Sequence, residues 1–334
     1  MAETSEAPAP ARAAALIWNS DLMASTNDSL VLGFTARLRP DAIRPFAESL
    51  RSSGYQGRLA ILTAFYPDRA DQAELAELAD VVVPVDGDYP PAPRGIEGLR
   101  RLRGTRLARK AYPLAFSAAA RCTSERRSQA RWEALEFHLE GLQSLRYRQY
   151  HRYITTCAPN ADLVFISDLR DVVFQSDPFE APLVGLECFL EEASSRIGSS
   201  PFNRRWIRSL YGGERLAQMS HEVVSCSGTV AGTRDAMLAY LHEMCTAIGW
   251  RRRPLGSHDQ GVHNHLLRSG RFPDARIVAN GTGRVLTMGE MTSFDLDSAG
   301  RVLNTDGSVP PVLHQMDRHP ALAARLWAGA RART

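Results

Sequence analysis

Short apolar runs and amphipathic stretches alternate along the first part of the chain. Apolar residues recur at helical spacing in residues 40–52 and 71–79. Pro40 and Gly54 are start and stop signals for the helix predicted at 40–52. Apolar runs of strand length flank them at residues 30–35, 59–63 and 81–84. Strands and helices that alternate in this order predict a parallel sheet with right-handed crossovers.

A further apolar run predicts a central strand that ends in acidic residues. Residues 132–154 have apolar positions at helical spacing, which predicts a helix with one buried face. The run at 163–166 that follows is apolar throughout, as is typical of a parallel strand buried on both faces. It ends in an acidic turn at residues 167–171, with the sequence SDLRD. Because ligands of open α/β sheets lie outside the carboxyl ends of strands, a site is expected there.

The remaining pattern completes an α/β domain with a mostly parallel central sheet flanked by helices. We expect loop at residues 86–95, further helical structure at 98–155 with a break near 122–127, and a final helix to about residue 330. Strands are predicted at 186–190, 223–226 and 311–313, and helices at 203–211, 234–248 and 258–268. Residues 1–15, rich in Ala, Glu and Pro, are predicted to be a disordered tail before a single domain at 16–334.

Composition and charge exclude several classes of protein. The chain has 334 residues, 44% of them apolar, which suffices for a sizeable core, and no run approaches the length of a transmembrane helix. Five cysteines without a C-x-x-C pair indicate neither a disulfide framework nor a zinc cluster, so a reducing, cytoplasmic compartment is expected. The net charge is only +3, and the arginine runs at 100–103 and 251–253 lack interleaved aromatics; we predict no nucleic-acid partner.

The acidic turn has the residue types of a divalent-cation site. Asp168 and Asp171 are three residues apart, so a tight turn can place both on one side, where a cation must offset their repulsion. Mg²⁺ and Mn²⁺ take carboxylate oxygens and complete their shell with water and phosphates. The alternative is structural: Asp168 caps the turn and Asp171 pairs with Arg170 on the surface.

His314, at the end of the short apolar run 311–313, is a candidate third ligand because imidazole serves Mn²⁺ beside carboxylates. Arg318 and His319 follow closely and are cations suited to a diphosphate. The alternative interpretation is a histidine that is simply satisfied in the core or in a loop.

Asp259 and Gln260 stand at a predicted helix start. Either they face a ligand and accept hydroxyl hydrogen bonds, or Ser257 or Asp259 is the helix N-cap. His258 and His263 are five residues apart, one off the zinc spacing, and are not interpreted as a metal site.

Two weaker features complete the candidates. The small-residue passage 225–233 could cradle an anion with its backbone N–H groups, or form a tight turn that needs Gly228 and Gly232. Arg146, Arg148 and Arg152 lie on the helix before the acidic strand; one of them could reach an anion, or all could lie on a solvated face.

Together these motifs resemble glycosyltransferases of the GT-A (Rossmann-like) fold over about residues 30–319. The closest resemblance is to the retaining branch that includes glycogenin and bacterial lipooligosaccharide galactosyltransferases. In that branch an apolar strand ends in Asp-x-Asp, whose aspartates bind Mn²⁺. A later Asp-Gln begins a helix beside the transferred sugar, and a histidine near the C-terminus completes the metal shell. Here the corresponding residues are Asp168, Asp171, Asp259, Gln260 and His314.

The resemblance implies a role for each candidate. Asp168, Asp171 and His314 would bind Mn²⁺ or Mg²⁺, and Asp259 and Gln260 would be catalytic. Residues 28–175 would form the nucleotide-binding half and residues 176–320 the acceptor half. The nucleoside diphosphate sugar, expected to be a UDP-sugar, would be bound by a wider set: Thr35 and Ala36 at the base, Ser227 and Gly228 at the sugar, and Arg148, Arg170 and Arg318 around the diphosphate.

The acidic motif departs from the family pattern, since Asp-Leu-Arg-Asp replaces Asp-x-Asp. Either Asp168 substitutes through a changed turn, or Asp171 and His314 are the main ligands. The resemblance implies a metal-assisted hexosyltransferase that retains configuration and transfers to a small-molecule or glycan acceptor. One alternative is a nucleotidyltransferase, although that class usually has a glycine-rich loop where residues 35–40 lack glycine. Another is a catalytically silent scaffold.

Overall fold

The computed structural model describes residues 17–18, 28–36, 38–64, 69–85, 142–248 and 258–331. Its strands are β1 Ile17–Trp18, β2 Ser29–Ala36, β3 Arg58–Ala64, β4 Val81–Pro84, β5 Leu163–Ser167, β6 Val172–Phe174, β7 Leu186–Leu190, β8 Ser225–Thr233, β9 Arg276–Val278, β10 Val285–Thr287 and β11 Val312–His314. Its helices are α1 Pro40–Ser52, α2 Arg69–Leu78, α3 Leu142–Thr156, α4 Pro201–Met219, α5 Arg234–Ile248, α6 Asp259–Leu267 and α7 Pro320–Arg331.

The central sheet has eight strands in the order β1-β4-β3-β2-β5-β8-β7-β9. β2, β3, β4, β5, β7 and β9 run in one direction, and β1 and β8 run in the other. Crossover helices connect the parallel strands of the first half, as their order along the chain requires. The predicted fold class, an α/β domain with a mostly parallel central sheet flanked by helices, is confirmed.

The sheet separates two apolar cores. Along β2, Leu30 and Leu32 face one core and Val31 faces the other, as the alternation of a strand requires. The first core contains side chains of α3, α5 and α6, whereas the second contains side chains of α1 and α2. The strands buried between these layers are the continuous apolar runs of the sequence, which is why they were predicted with nearly correct bounds.

A small second sheet, in the order β10-β11-β6, holds the C-terminal part of the chain against the first half. β6 pairs antiparallel with β11, so that His314 lies opposite Val172. Leu313 and Met316 pack with Leu322 in a third apolar cluster beneath this sheet. The pairing brings a residue near the C-terminus beside the acidic turn that precedes β6.

Several predictions need correction. Residues 227–233, interpreted as a loop or tight turn, belong to β8, which is buried between β5 and β7. The helix predicted at 203–211 extends through α4, with a kink at Gly212. β1, β9 and β10 were not predicted. The expected tail at 1–15, the loop at 86–95, both arginine runs and Ser257 lie outside the described residues.

Two properties of the described residues bear on the expectations from composition. No helix among them is both long and apolar enough to cross a membrane. Their four cysteines, Cys157, Cys188, Cys226 and Cys245, are all free thiols.

The first testable consequence concerns Gly33 on β2, against which the buried Leu169 side chain packs. A Cβ atom at Gly33 would lie 2.6 Å from Cγ of Leu169, closer than van der Waals contact allows. Because Leu169 is only 2% exposed, Gly33→Ala forces it to move and lowers the free energy of unfolding by about 1–3 kcal/mol. Urea unfolding of the purified protein measures this loss.

Gly213→Ala is the matched control. A Cβ atom at Gly213 meets no atom within 4 Å, and its backbone is helical, so the same added methyl group should be neutral or slightly stabilising. Equal destabilisation by the two substitutions would contradict the packing of Leu169 against Gly33.

Candidate functional site

The candidate site lies at the carboxyl edge of β5, where three strands hold the acidic turn. The backbone N–H of Asp168 donates to the carbonyl of Gly228 on β8 at 2.7 Å. The N–H of Met316, just after β11, donates to the carbonyl of Asp171 at 2.9 Å. Gln315 between β11 and Met316 has φ 59°, and this left-handed residue turns the chain back toward the acidic turn. Both ends of the turn are therefore fixed by backbone bonds.

The structure brings the three predicted metal ligands together. Nε2 of His314 lies 3.7 Å from Oδ2 of Asp168 and 3.9 Å from Oδ1 of Asp171. One donor atom of each residue lies within 4.8 Å of the other two. Gly228 leaves the space for this group: a Cβ there would lie 2.9 Å from Nε2 of His314 and would collide with Oδ2 of Asp168.

The two intervening residues explain how the irregular motif reaches this arrangement. Leu169 turns into the second core against Gly33, whereas Arg170 points outward with 60% of its side chain exposed. With one residue in the core and the next in solvent, Asp168 and Asp171 meet on the same side of the turn. This geometry is compatible with the first alternative, in which Asp168 substitutes through a changed turn, and its ligation of a metal stays a prediction.

Arg146 on α3 connects the acidic turn with α6. Its guanidinium, almost fully buried, pairs with Oδ1 of Asp168 and donates to Oδ2 of Asp259 at 2.9 Å. It also donates to the carbonyl of Ser227 at 3.1 Å. One oxygen of Asp168 is therefore held by Arg146, while the other faces His314.

Asp259, at the first position of α6, is a buried and well-partnered carboxylate. Besides Arg146, its Oδ2 receives hydrogen bonds from the hydroxyls of Tyr147 and Ser227, each at 3.4 Å. Burial raises the pKa of Asp259, and the Arg146 guanidinium opposes that rise. The helix N-cap is His258 without a side-chain cap bond, so the capping interpretation of Asp259 is wrong.

Asp168, Asp171 and His314, called the trio below, have pKa values that are shifted by burial and by the charges around them. Burial raises the pKa of Asp168, but Arg146 and His314 outweigh it and lower that pKa to about 2. Burial raises the pKa of Asp171. Burial lowers the pKa of His314, yet its surroundings, Cys226 and the two aspartates, outweigh burial and raise it. The raised pKa of His314 reflects the negative charge crowded around its imidazole.

The donor set fits a hard divalent cation. The separations of 3.7 and 3.9 Å from His314 to the two aspartates are both shorter than twice a metal–ligand bond of about 2.1 Å, so one cation can contact the imidazole and a carboxylate together. Two carboxylate oxygens and one imidazole nitrogen also have the chemistry that Mn²⁺ accepts.

Gln260 borders the site with a second group of polar residues. Its amide Nε2 lies 3.4 Å from Oε1 of Glu191, at the end of β7, and 3.4 Å from Oδ1 of Asn203 on α4. Glu191 is half-buried, and burial raises the pKa of its carboxyl group. Ser195 donates to its other oxygen at 2.9 Å.

The remaining predicted donor-binding residues lie at different distances from this centre. Thr35 and Ala36 end β2, which is adjacent and parallel to β5, so they share its carboxyl edge. Arg170 and Arg318 are mostly exposed and both approach Asp317, at 3.2 and 3.7 Å. His319 bonds the carbonyl of Met288 at 2.8 Å. On α3, Arg146 contacts the acidic turn, and Arg148 is half-buried.

Sequence reasoning named Arg146 only as one of three arginines on this helix, assigned the diphosphate to Arg148, and did not name Glu191. A signal existed for Arg146: it lies four residues before the buried Tyr150 on the apolar face of α3, and a charge on such a face implies a buried partner. Glu191 is the first residue after a buried strand, a position it shares with Asp168. Neither signal identifies the partner, because the partners are far apart in the sequence.

The second testable consequence follows from the burial of Arg146. Arg146→Met removes the cation from two carboxylates and leaves Asp259 buried without its charged partner, which costs about 3–5 kcal/mol of unfolding free energy. Arg170→Met on the same turn removes an exposed pair with Asp317 and should cost about 0–1 kcal/mol. Chemical denaturation compares the two. Similar costs for both variants would show that Arg146 does not organise the site.

A third consequence concerns pH, through the residues that hold α6 on β8. His263 bonds the hydroxyls of Ser225 at 2.9 Å and Tyr240 at 2.8 Å, and burial lowers its pKa to about 3. The folded state therefore favours neutral His263, whose contribution is complete above the unfolded pKa of about 6.5 and is lost as pH falls toward 3. Between pH 7 and 5 that contribution falls by about 2 kcal/mol.

Unfolding free energies of the wild type and His263→Asn at pH 7 and pH 5 measure this contribution. The difference in unfolding free energy between the two proteins should be smaller at pH 5 than at pH 7. His221→Asn, on an exposed side chain, is the control and should follow the wild type at both pH values. A gap that is independent of pH would show that His263 does not titrate as its burial requires.

Comparison with known proteins gives structural similarity only. No protein-family model matches the sequence, and no curated protein matches it. A crystal structure of an active-site variant of LgtC is similar with a TM-score of 0.48 and 13% identity, covering 90% of this chain and 95% of that one. A crystal structure of galactosyltransferase LgtC with donor and acceptor sugar analogues has a TM-score of 0.44 and 14% identity, covering 90% and 99%.

Proposed function

We propose that the protein is a metal-assisted glycosyltransferase of the GT-A fold, which transfers a hexose from a nucleoside diphosphate sugar to a hydroxyl group. The observation on which this rests is the convergence of Asp168, Asp171 and His314 at the carboxyl edge of the sheet, with the Arg146–Asp259 pair directly behind them. The order of these motifs along the chain, which resembles the retaining GT-A branch, supports the same function.

The cation supplies Lewis-acid charge that stabilises the departing diphosphate when it is bound. Asp168, Asp171 and His314 would hold Mn²⁺ or Mg²⁺, and Arg146 keeps one oxygen of Asp168 turned away, so that the other stays available. We place the nucleotide base, of a UDP-sugar in our proposal, at Thr35 and Ala36, since β2 and β5 end at the same edge.

The environment of Asp259 supports transfer with retention of configuration. An inverting enzyme needs a carboxylate base opposite the leaving group. Oδ2 of Asp259 already accepts from Arg146, Tyr147 and Ser227, so these donors and not an acceptor hydroxyl occupy that oxygen. We therefore propose that Asp259 and Gln260 stabilise positive charge on the sugar.

In this reaction the protein does not need to supply a base. The acceptor oxygen forms a bond to the anomeric carbon, while the bond from that carbon to the diphosphate oxygen breaks. The diphosphate leaves with the electron pair and takes the hydroxyl proton. We propose that Arg318, on the turn after β11, adds positive charge for the leaving group, with Arg170 as a second, more distant cation.

The fourth testable prediction is metal binding followed by metal-dependent donor turnover. Asp171→Asn removes a ligand charge from the trio, so Mn²⁺ binding by calorimetry should weaken at least about 10- to 100-fold. Hydrolysis of UDP-glucose and UDP-galactose, measured without acceptor, should fall with it and should stop in wild-type protein after chelation.

Asp317→Asn is the matched control, because Asp317 is a neighbouring carboxylate outside the trio. Its Mn²⁺ affinity should remain within about twofold of the wild type, as expected for a surface charge. Mn²⁺ binding that is unaffected by Asp171→Asn would contradict the metal site. Release of pyrophosphate from a nucleoside triphosphate and a sugar phosphate, without turnover of any UDP-sugar, would instead identify a nucleotidyltransferase.

A further inference from the structure

A pair of aromatic side chains stands on the surface at the start of α4. Phe202 is 59% exposed, and it is the one aromatic among the strongly exposed large apolar side chains of the described residues. Its ring centroid lies 5.9 Å from that of Trp206, one helical turn later, with 38° between the planes. Phe202 is exposed and Trp206 is half-buried, and apolar surface of this kind is costly to leave in water, which makes it a candidate binding surface.

The aromatic pair borders the candidate site. Trp206 lies 6.5 Å, between ring centroids, from His258, which immediately precedes Asp259. A Cβ atom at Gly261 would be 2.9 Å from Cβ of Trp206, so α4 approaches α6 this closely because residue 261 is glycine. Asn203, next to Phe202 in the chain, lies 3.4 Å from the Gln260 amide. The aromatic pair thus lies on the helix whose buried Asn203 contacts Gln260.

The pair is held on a rigid element. Pro201 begins α4, and Ser200 caps it by accepting from the backbone and side-chain N–H groups of Asn203. Asn203 itself is buried, as is Ile207, which packs in the apolar cluster beneath α4. A preorganised surface binds its ligand without the entropic cost of ordering a loop.

The charge around the pair is positive. The guanidinium of Arg205 lies 5.5 Å from the ring centroid of Phe202, and Arg204 and Arg208 are exposed on the same helix. Residues 201–213 include no Asp or Glu, and these three arginines form no salt bridge within the described part of the chain. A ligand that meets this surface therefore finds two aromatic faces beside uncompensated cations.

We propose that Phe202 and Trp206 bind the acceptor and that the acceptor is a sugar carrying an anionic group, a phosphate or a carboxylate. The C–H face of the sugar ring packs on the aromatic faces, whose negative quadrupole attracts it. Arg205 binds the anionic group, and the reacting hydroxyl points toward Gln260 and Glu191. This inference rests on the proposed function and specifies the substrate class of the same site.

Binding of defined probes tests the acceptor class without requiring turnover. Glucose 6-phosphate, glucuronate and methyl glucoside are titrated against the wild-type protein by saturation-transfer NMR and calorimetry. The two anionic probes should bind more tightly than methyl glucoside. Phe202→Ala and Trp206→Ala should weaken all three by about 3- to 10-fold, and Arg205→Gln should abolish the preference for the anionic probes.

Matched variants separate loss of the surface from loss of the fold. Trp206→Phe keeps a ring against Gly261 and should retain most of the binding that Trp206→Ala loses. Val184→Ala and Arg325→Gln remove an exposed apolar side chain and an exposed cation elsewhere, and should bind the probes like the wild type.

Failure of probe binding to the wild type, or equal binding by wild type and Phe202→Ala, would overturn the acceptor assignment. Tighter binding of methyl glucoside than of the anionic probes would overturn the proposal that the acceptor carries an anionic group. Neither result touches donor hydrolysis with Mn²⁺, which tests the proposed function by itself. Absent donor turnover together with tight, Phe202-dependent probe binding would retain the surface as a sugar site and reject the transferase.

Discussion

The candidate site depends on one buried cation. Arg146 lies between Asp168 at the end of β5 and Asp259 at the start of α6, and it also holds the carbonyl of Ser227 on β8. A buried guanidinium is acceptable only when its N–H groups and charge are satisfied, and here the acidic residues of two separate elements satisfy them. Each group therefore fixes the position of the other. The carboxylates keep Arg146 in the interior, and Arg146 determines which oxygen of Asp168 faces His314.

The charges around Arg146 explain why a divalent cation suits the position. Asp168, Asp171 and Asp259 bring three carboxylates into a partly buried space, and the Arg146 guanidinium pairs with two of them. Burial raises the pKa of Asp171 and of Asp259, which is typical of carboxylates that lack sufficient positive charge around them. A divalent cation on the trio would supply positive charge there, and its ligation would require a neutral His314 imidazole.

Much of the fold was predictable because burial on both faces of a parallel sheet requires continuous apolar runs, as in β2, β3 and β5. Residues 227–233 of β8 were mistaken for a loop or tight turn because their Ser, Gly and Ala residues have low strand propensity, and only packing between β5 and β7 makes them a strand. The trio was predictable from residue types at strand ends. Its organisation was not, because the contacts of Arg146 with both Asp168 and Asp259 depend on the tertiary position of α3.

Three glycines connect these observations, since each one permits an approach that a side chain would prevent. Gly33 accepts Leu169, and this packing lets the four-residue turn close with both aspartates on one side. Gly228 keeps open the space between Asp168 and His314, and Gly261 lets α4, which carries the aromatic pair, approach α6 closely. Leu169, which made the motif irregular in sequence, is thus the residue that anchors it. Spacing alone could not show this, because the distance between two ligands is set by what the residues between them pack against.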